Sequence, residues 1–126
     1  MLYKNWQEVP RSWDAWPFKY FDPQEIACKG TGELLIDLNA ISILDNLRSI
    51  IGSPLALNSA YRSKYWNAKC GGSPRSCHLT GKAFDLRLGS HDKTQLIDAA
   101  KQAGFTGFGV NYRTFLHVDT GRARRW

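Results

Sequence analysis

Two short stretches of strict alternation constrain this chain more than any other feature. Phe84, Leu86 and Leu88 recur at every second position in the first, and Leu116 and Val118 do so in the second. A period of two means a β-strand with one face turned to a core. The opposite face of the first strand carries Asp85 and Arg87, and that of the second carries Phe115, His117 and Asp119. The pattern therefore predicts a sheet that packs apolar side chains on one side and collects ionisable ones on the other. A chain of 126 residues has room for one hydrophobic core and no second folding unit of any size.

What covers the apolar side is written in the caps. Asp37 opens the strongest helical pattern, with Leu38, Ile41, Leu44, Leu47 and Ile51 at helical spacing and Gly52 as its stop. Asp22, Pro23 and Glu25 read as the N-cap, first position and capping-box acid of a short helix. Ser63 can cap one or two turns that end at Gly71 and Gly72. Asp92 or Ser90 opens a last helix with Leu96, Ala99, Ala100 and Ala103 on one face and Gly104 at its end. Leu55, Leu57 and Ser59 alternate as a further short strand, and a closing pair is expected around Gly109 to Tyr112 and Phe115 to Asp119. The order predicts an α+β fold, a small antiparallel sheet with helices packed on it. Residues 1–20, with Pro10, Pro17 and several aromatics, read as an irregular arm draped over a domain spanning 21–126.

Seventeen Lys and Arg against eleven Asp and Glu leave a net charge of +6, which favours anionic partners of any kind. Nucleic acid is the least suited of these, because the basic tail lacks the interleaved aromatics of single-strand platforms. No apolar run approaches the ~20 residues of a membrane span, so no membrane insertion is expected. Residues 1–20 contain no continuous apolar stretch and do not read as a secretory signal, so synthesis in the cytoplasm is expected. Cys28, Cys70 and Cys77 form neither a disulfide framework nor a C-x-x-C pair; whether Cys70 and Cys77 are bridged stays open.

The polar faces hold the chemistry. His78 lies in a loop seven residues before Asp85, and His117 stands two residues before Asp119 on a shared strand face, ~6.5 to 7 Å apart along the strand. Two imidazoles and a carboxylate are a donor set used by catalytic zinc, with a fourth position left for water. A simple hydrogen-bonded pair, or a solvated polar strand, would show the same residues. His91, outside both stretches, reads as a surface or capping residue.

In order along the chain, SAYR at Ser59–Arg62, Asn67, Gly71 and Gly72, S-x-H-x-x-G-x-A-x-D from Ser76 to Asp85, and F-x-H-x-D from Phe115 to Asp119 resemble the M15 group. These are the zinc D-Ala-D-Ala carboxypeptidase-like peptidases, and the likeness is to the small M15A-type domains of phage lysins and bacterial wall peptidases. It covers roughly residues 18–126, including ACKGTGEL at 27–34 and the final RARRW. The resemblance implies a D-Ala-D-Ala carboxypeptidase / hedgehog-like fold and one zinc ion held by His78, Asp85 and His117. It implies that Arg62 meets a substrate carboxylate or the developing oxyanion, and that Ser76 hydrogen-bonds substrate at the pocket edge. It also implies hydrolysis of an amide in a peptidoglycan peptide by a protein acting as a monomer, reaching the wall as a phage lysin or virion component does. Many members carry an acidic base three residues before the last histidine, where this chain has Thr114. Asp119 then becomes the expected base, with orientation of His117 as its alternative role. The missing acid leaves room for a catalytically inactive, zinc-containing wall-binding module.

Overall fold

The computed structural model describes residues 1–126. Its elements in chain order are β1 (Leu2–Tyr3), α1 (Pro23–Ile26), β2 (Leu34–Leu35), α2 (Leu38–Ile51), β3 (Leu57–Ser59), α3 (Lys64–Lys69), β4 (Ala83–Arg87), α4 (Lys93–Ala103), β5 (Gly107–Gly109), β6 (Phe115–Asp119) and β7 (Arg124–Arg125). Two 3₁₀ turns, Trp6–Glu8 and Cys77–Thr80, complete the list. The architecture is α+β, as expected.

The helix starts are where the caps place them. Asp22 accepts from the Gln24 N–H and Glu25 reaches back to the Asp22 N–H, so both halves of the capping box are made. Asp37 accepts from Ala40, Ser63 from Trp66 and Asp92 from Gln95, each satisfying a first-turn donor. Of the two candidates for the last helix, Asp92 is the cap. Gly52, at φ +71°, ends α2 in the left-handed conformation that costs glycine nothing.

Strands β3-β4-β6-β5-β7 form one sheet, and β1-β2 a separate antiparallel pair. Phe84, Leu86, Leu116 and Val118 on one sheet face are fully buried against Ala40, Ile41, Leu44 and Leu47 of α2 and Leu96, Ile97 and Ala100 of α4. A buried leucine such as Leu44 contributes enough that Leu44→Ala should cost about 2–5 kcal/mol. Val9, Trp16 and Phe18 of the first 20 residues enter the same core, and Trp16 donates its indole N–H to the Phe21 carbonyl at 2.6 Å.

Three details differ from the sequence reading. The strand expected at Gly109 to Tyr112 lies at Gly107–Gly109. Glycines weaken a strand by propensity, but here they allow close approach from the polar face. The sheet is also not wholly antiparallel, because β7 joins β5 in parallel register, Gly107 opposite Arg124 and Phe108 opposite Arg125. Finally, the arm holds a real strand pair, Leu2 opposite Leu35 and Tyr3 opposite Leu34, too short to show a period.

Candidate metal centre and its cleft

The register of β4 and β6 sets Asp85 directly opposite His117, with both side chains on the polar face. Direct cross-strand partners lie about 4.5–5.5 Å apart at Cβ, so the pair meets without any unusual side-chain reach. His78 arrives from the 3₁₀ turn Cys77–Thr80. Ser76 caps that turn by accepting from the His78 N–H at 3.1 Å, and Gly81 closes it at φ +73°. The His78 carbonyl accepts from the Arg62 N–H at 3.0 Å, which ties the turn to the segment leaving β3.

Each imidazole is held by one ring nitrogen and turns the other toward Asp85. His78 Nδ1 lies 2.6 Å from the Ala60 carbonyl, which can only accept, so Nδ1 carries the proton and Nε2 turns a lone pair toward Asp85 Oδ1 at 3.2 Å. His117 lies between two carboxylates, Nε2 2.7 Å from Asp119 Oδ2 and Nδ1 3.0 Å from the same Asp85 oxygen, and a proton on Nε2 leaves Nδ1 as the inward donor atom. One candidate donor atom from each of His78, Asp85 and His117 falls within 4.8 Å of the others, and all three residues are buried. Two imidazole lone pairs and a carboxylate facing one point repel unless positive charge sits among them. Nitrogen and oxygen donors with their outer N–H groups tied back suit zinc. Protons shared among the three groups answer the same demand: burial opposes ionisation of Asp85, but hydrogen bonds from protonated ring nitrogens of His117 and His78 outweigh it and hold the carboxyl well below its usual range. Burial likewise works against charge on His117, and the Asp119 and Asp85 carboxylates overcome it and raise its pKa.

Asp119 is not placed as a base. Its strand phase does put it on the face of His117, but one step farther along β6 it is covered by β7 and is 0% exposed. Arg124 grips both its oxygens, Nη1 to Oδ1 at 3.0 Å and Nη2 to Oδ2 at 2.9 Å, and the Gly121 N–H adds a bond at 2.9 Å. Burial pushes its pKa up, but donation from His117 and Arg124 prevails and brings it down to about 2. A carboxylate so occupied is a weak proton acceptor.

The donors open into a cleft of about 930 Å³. Arg62 lines it, with Nη2 3.3 Å from Asp85 Oδ2, Nε 2.9 Å from Ser59 Oγ and Nη1 3.3 Å from Asn67 Oδ1. Three of the five guanidinium N–H donors are thus used, which leaves two for a ligand. Ser76 also lines the cleft, its oxygen engaged as the cap. Arg75, Arg122, Arg124, Tyr112 and Trp126 form further wall, and the sole carboxylate among the lining residues is Asp85. Thr114 is not among them. Cys70 and Cys77 line the cleft as free thiols, and His91 lies away from it, bonded to the Pro54 carbonyl.

The sequence matches the Peptidase M15 family over residues 19–119, a span that contains all three donors. The chain belongs to the M15 peptidase family. A zinc D-Ala-D-Ala carboxypeptidase of Streptomyces albus G is 35% identical over 88 residues, covering 66% of this chain and 34% of the relative. The peptidoglycan L,D-endopeptidase MepK of Escherichia coli K12 is 31% identical over 99 residues, 72% of this chain and 54% of the relative. This M15 chain therefore spans between a third and about half of the length of these relatives. No helix in it is long and apolar enough to cross a membrane.

Within this M15 chain, sequence reasoning missed the part played by the last strand. The arginines of the tail read as a basic surface, yet Arg124 is bound to Asp119, and the Trp126 ring lies 4.9 Å from that of His117. The nearest signal was the FxHxD spacing itself, since a second acid on that face needs a counter-charge once buried.

Proposed function

We propose that this chain is a zinc-dependent peptidase that hydrolyses an amide bond in peptidoglycan stem peptides or cross-links. The observation that carries this reading is the convergence of two buried imidazoles, each held by its outer nitrogen, and one carboxylate in an arginine-lined cleft. His78, Asp85 and His117 would hold the metal. When bound there, zinc supplies Lewis-acid polarisation of a carbonyl and lowers the pKa of water toward ~7.

The protein's own groups do the rest. Arg62, fixed on three sides, offers its two remaining N–H donors to a peptide carboxylate or to the charge that develops on the scissile carbonyl. Asp119 keeps Nε2–H of His117 engaged, and so keeps Nδ1 free of a proton for the metal. Ser76 shapes the turn that presents His78, and its hydroxyl hydrogen can still be donated into the cleft. With no free side-chain carboxylate in the cleft, solvent at the open rim would take up the proton of the attacking water and return one to the leaving amine. Entry to the wall as a phage lysin or virion component, after synthesis in the cytoplasm, fits this chemistry.

The absent cleft acid favours a second reading, a zinc-containing wall-binding module without turnover. Mass spectrometry of muropeptides before and after incubation with the zinc-loaded protein decides. New amine termini support the peptidase. Unchanged muropeptides across a range of pH, at full zinc occupancy, refute it and leave the binding module.

A further inference from the structure

We propose that strand β7 is a working part of the metal centre, and that Arg124 is a positioning residue acting through Asp119 to hold His117 with Nδ1 presented to the metal. The inference rests on the zinc-peptidase reading and goes past it to residues outside the donor set. A carboxylate with no solvent contact needs full compensation, and a bidentate guanidinium supplies both charge and direction. The fork fixes the plane of the Asp119 carboxyl, and that plane sets where Oδ2 can accept from the imidazole at 2.7 Å.

Arg124 is itself held by backbone. Its N–H donates to the Thr106 carbonyl at 3.3 Å, the Trp126 N–H donates to Phe108 at 2.9 Å, and the Val110 N–H donates to Trp126 at 2.6 Å. Gly107, its register partner, leaves the space the pair needs. A Cβ there would collide with Asp119 Oδ1 and lie 2.5 Å from Arg124 Nη1. Trp126 braces the other side of the assembly, with the Arg124 guanidinium 4.6 Å above its ring and its indole N–H donated to Tyr112 Oη at 2.9 Å. Arg124 of β7 and Trp126 directly after it thus both bear on His117, one through Asp119 and one by ring contact.

The test is zinc affinity, measured by competition with a chromophoric chelator on wild type, R124M, R124K, R125M and H117A, with thermal melts of the metal-free proteins alongside. R124M should lose about ten- to a hundred-fold in affinity, as metal sites do when a ligand's outer partner is removed. R124K should recover part of it, because a point charge replaces the fork. R125M, altered in the same strand at an exposed side chain, should match wild type and so separate the clamp from the strand. At saturating zinc, with kcat normalised to the folded, zinc-bound fraction, R124M should still show lower kcat on muropeptides with KM unchanged, because normalisation removes the loss that mere loosening of the fold produces. Wild-type affinity in a folded R124M overturns the proposal. If R124M does not melt cooperatively, R124K decides, and wild-type affinity there overturns it equally. Failure of wild type itself to bind zinc rejects the zinc-peptidase reading and this inference together, whereas binding lost in H117A but intact in R124M rejects the inference alone.

Discussion

Gly107→Ala adds a single methyl group, and the structure says where it would go. The new carbon would overlap Asp119 Oδ1, which is fully buried, and crowd Arg124 Nη1, which is bound to that same oxygen. Overpacking of this kind costs about 1–3 kcal/mol. Displacing a charge-assisted bond to the buried carboxylate adds roughly 1.5–3 kcal/mol, so the expected loss is about 2.5–6 kcal/mol. Unfolding entropy of about 2.1 cal/mol/K per residue over 126 residues converts this to a melting point lower by roughly 9–23 °C. Gly52→Ala is the control. It sits at φ +71° with nothing within 4 Å, so it carries backbone strain alone, about 1–2 kcal/mol. Circular dichroism melts of the two variants, with zinc affinity measured on each, check the reasoning. A Gly107→Ala protein that melts with Gly52→Ala and binds zinc like wild type would refute the account of the Asp119 surroundings.

Other outcomes follow from the same coordinates. Zinc at about a hundred times its Kd should stabilise the protein by about 2.7 kcal/mol, near 10 °C, and a chelator should reverse it; an unchanged melt would exclude a folded-state metal site. Arg75→Ala with Arg122→Ala removes two exposed cleft arginines at roughly 0.5 kcal/mol each, about a five-fold rise in KM with kcat held, and steady-state assays at two salt concentrations should show the variant less salt-sensitive. Asp37 is held below its usual pKa; burial resists this, but the Lys82 ammonium at 2.8 Å and the Ala40 N–H prevail. Its stabilising effect is therefore present above the ordinary carboxylate range and lost as pH falls through the folded value, so wild type should lose more stability than Asp37→Asn between about pH 5 and pH 2.5 in denaturant titrations.

Much of this arrangement was legible because it is local. A cap such as Asp37 or Asp92 needs only the next three residues to act, and the alternation in β4 and β6 needs only its own strand. His78, Asp85 and His117 could be grouped because their order and spacing follow a family pattern. Asp119 marks where such reading stops. Strand phase says which face a side chain takes, but what covers that face depends on the pairing of residues 107 and 124, an edge-strand register with no local signature. For the same reason Arg124 read as surface charge, and Gly109 read only as the start of a strand, when it and Gly107 make room for Trp126 and Arg124.

The direct opposition of Asp85 and His117 ties function to folding in one further way. A slip of β6 by one place would exchange His117 for Leu116 or Val118, sending the imidazole into the oily interior and a hydrocarbon into the cleft. The strand pair cannot lose its donors without losing its packing as well. Mispaired copies would thus be too unstable to persist as well-folded but empty impostors, and the hydrophobic contacts beneath the sheet act as a check on the chemistry above it.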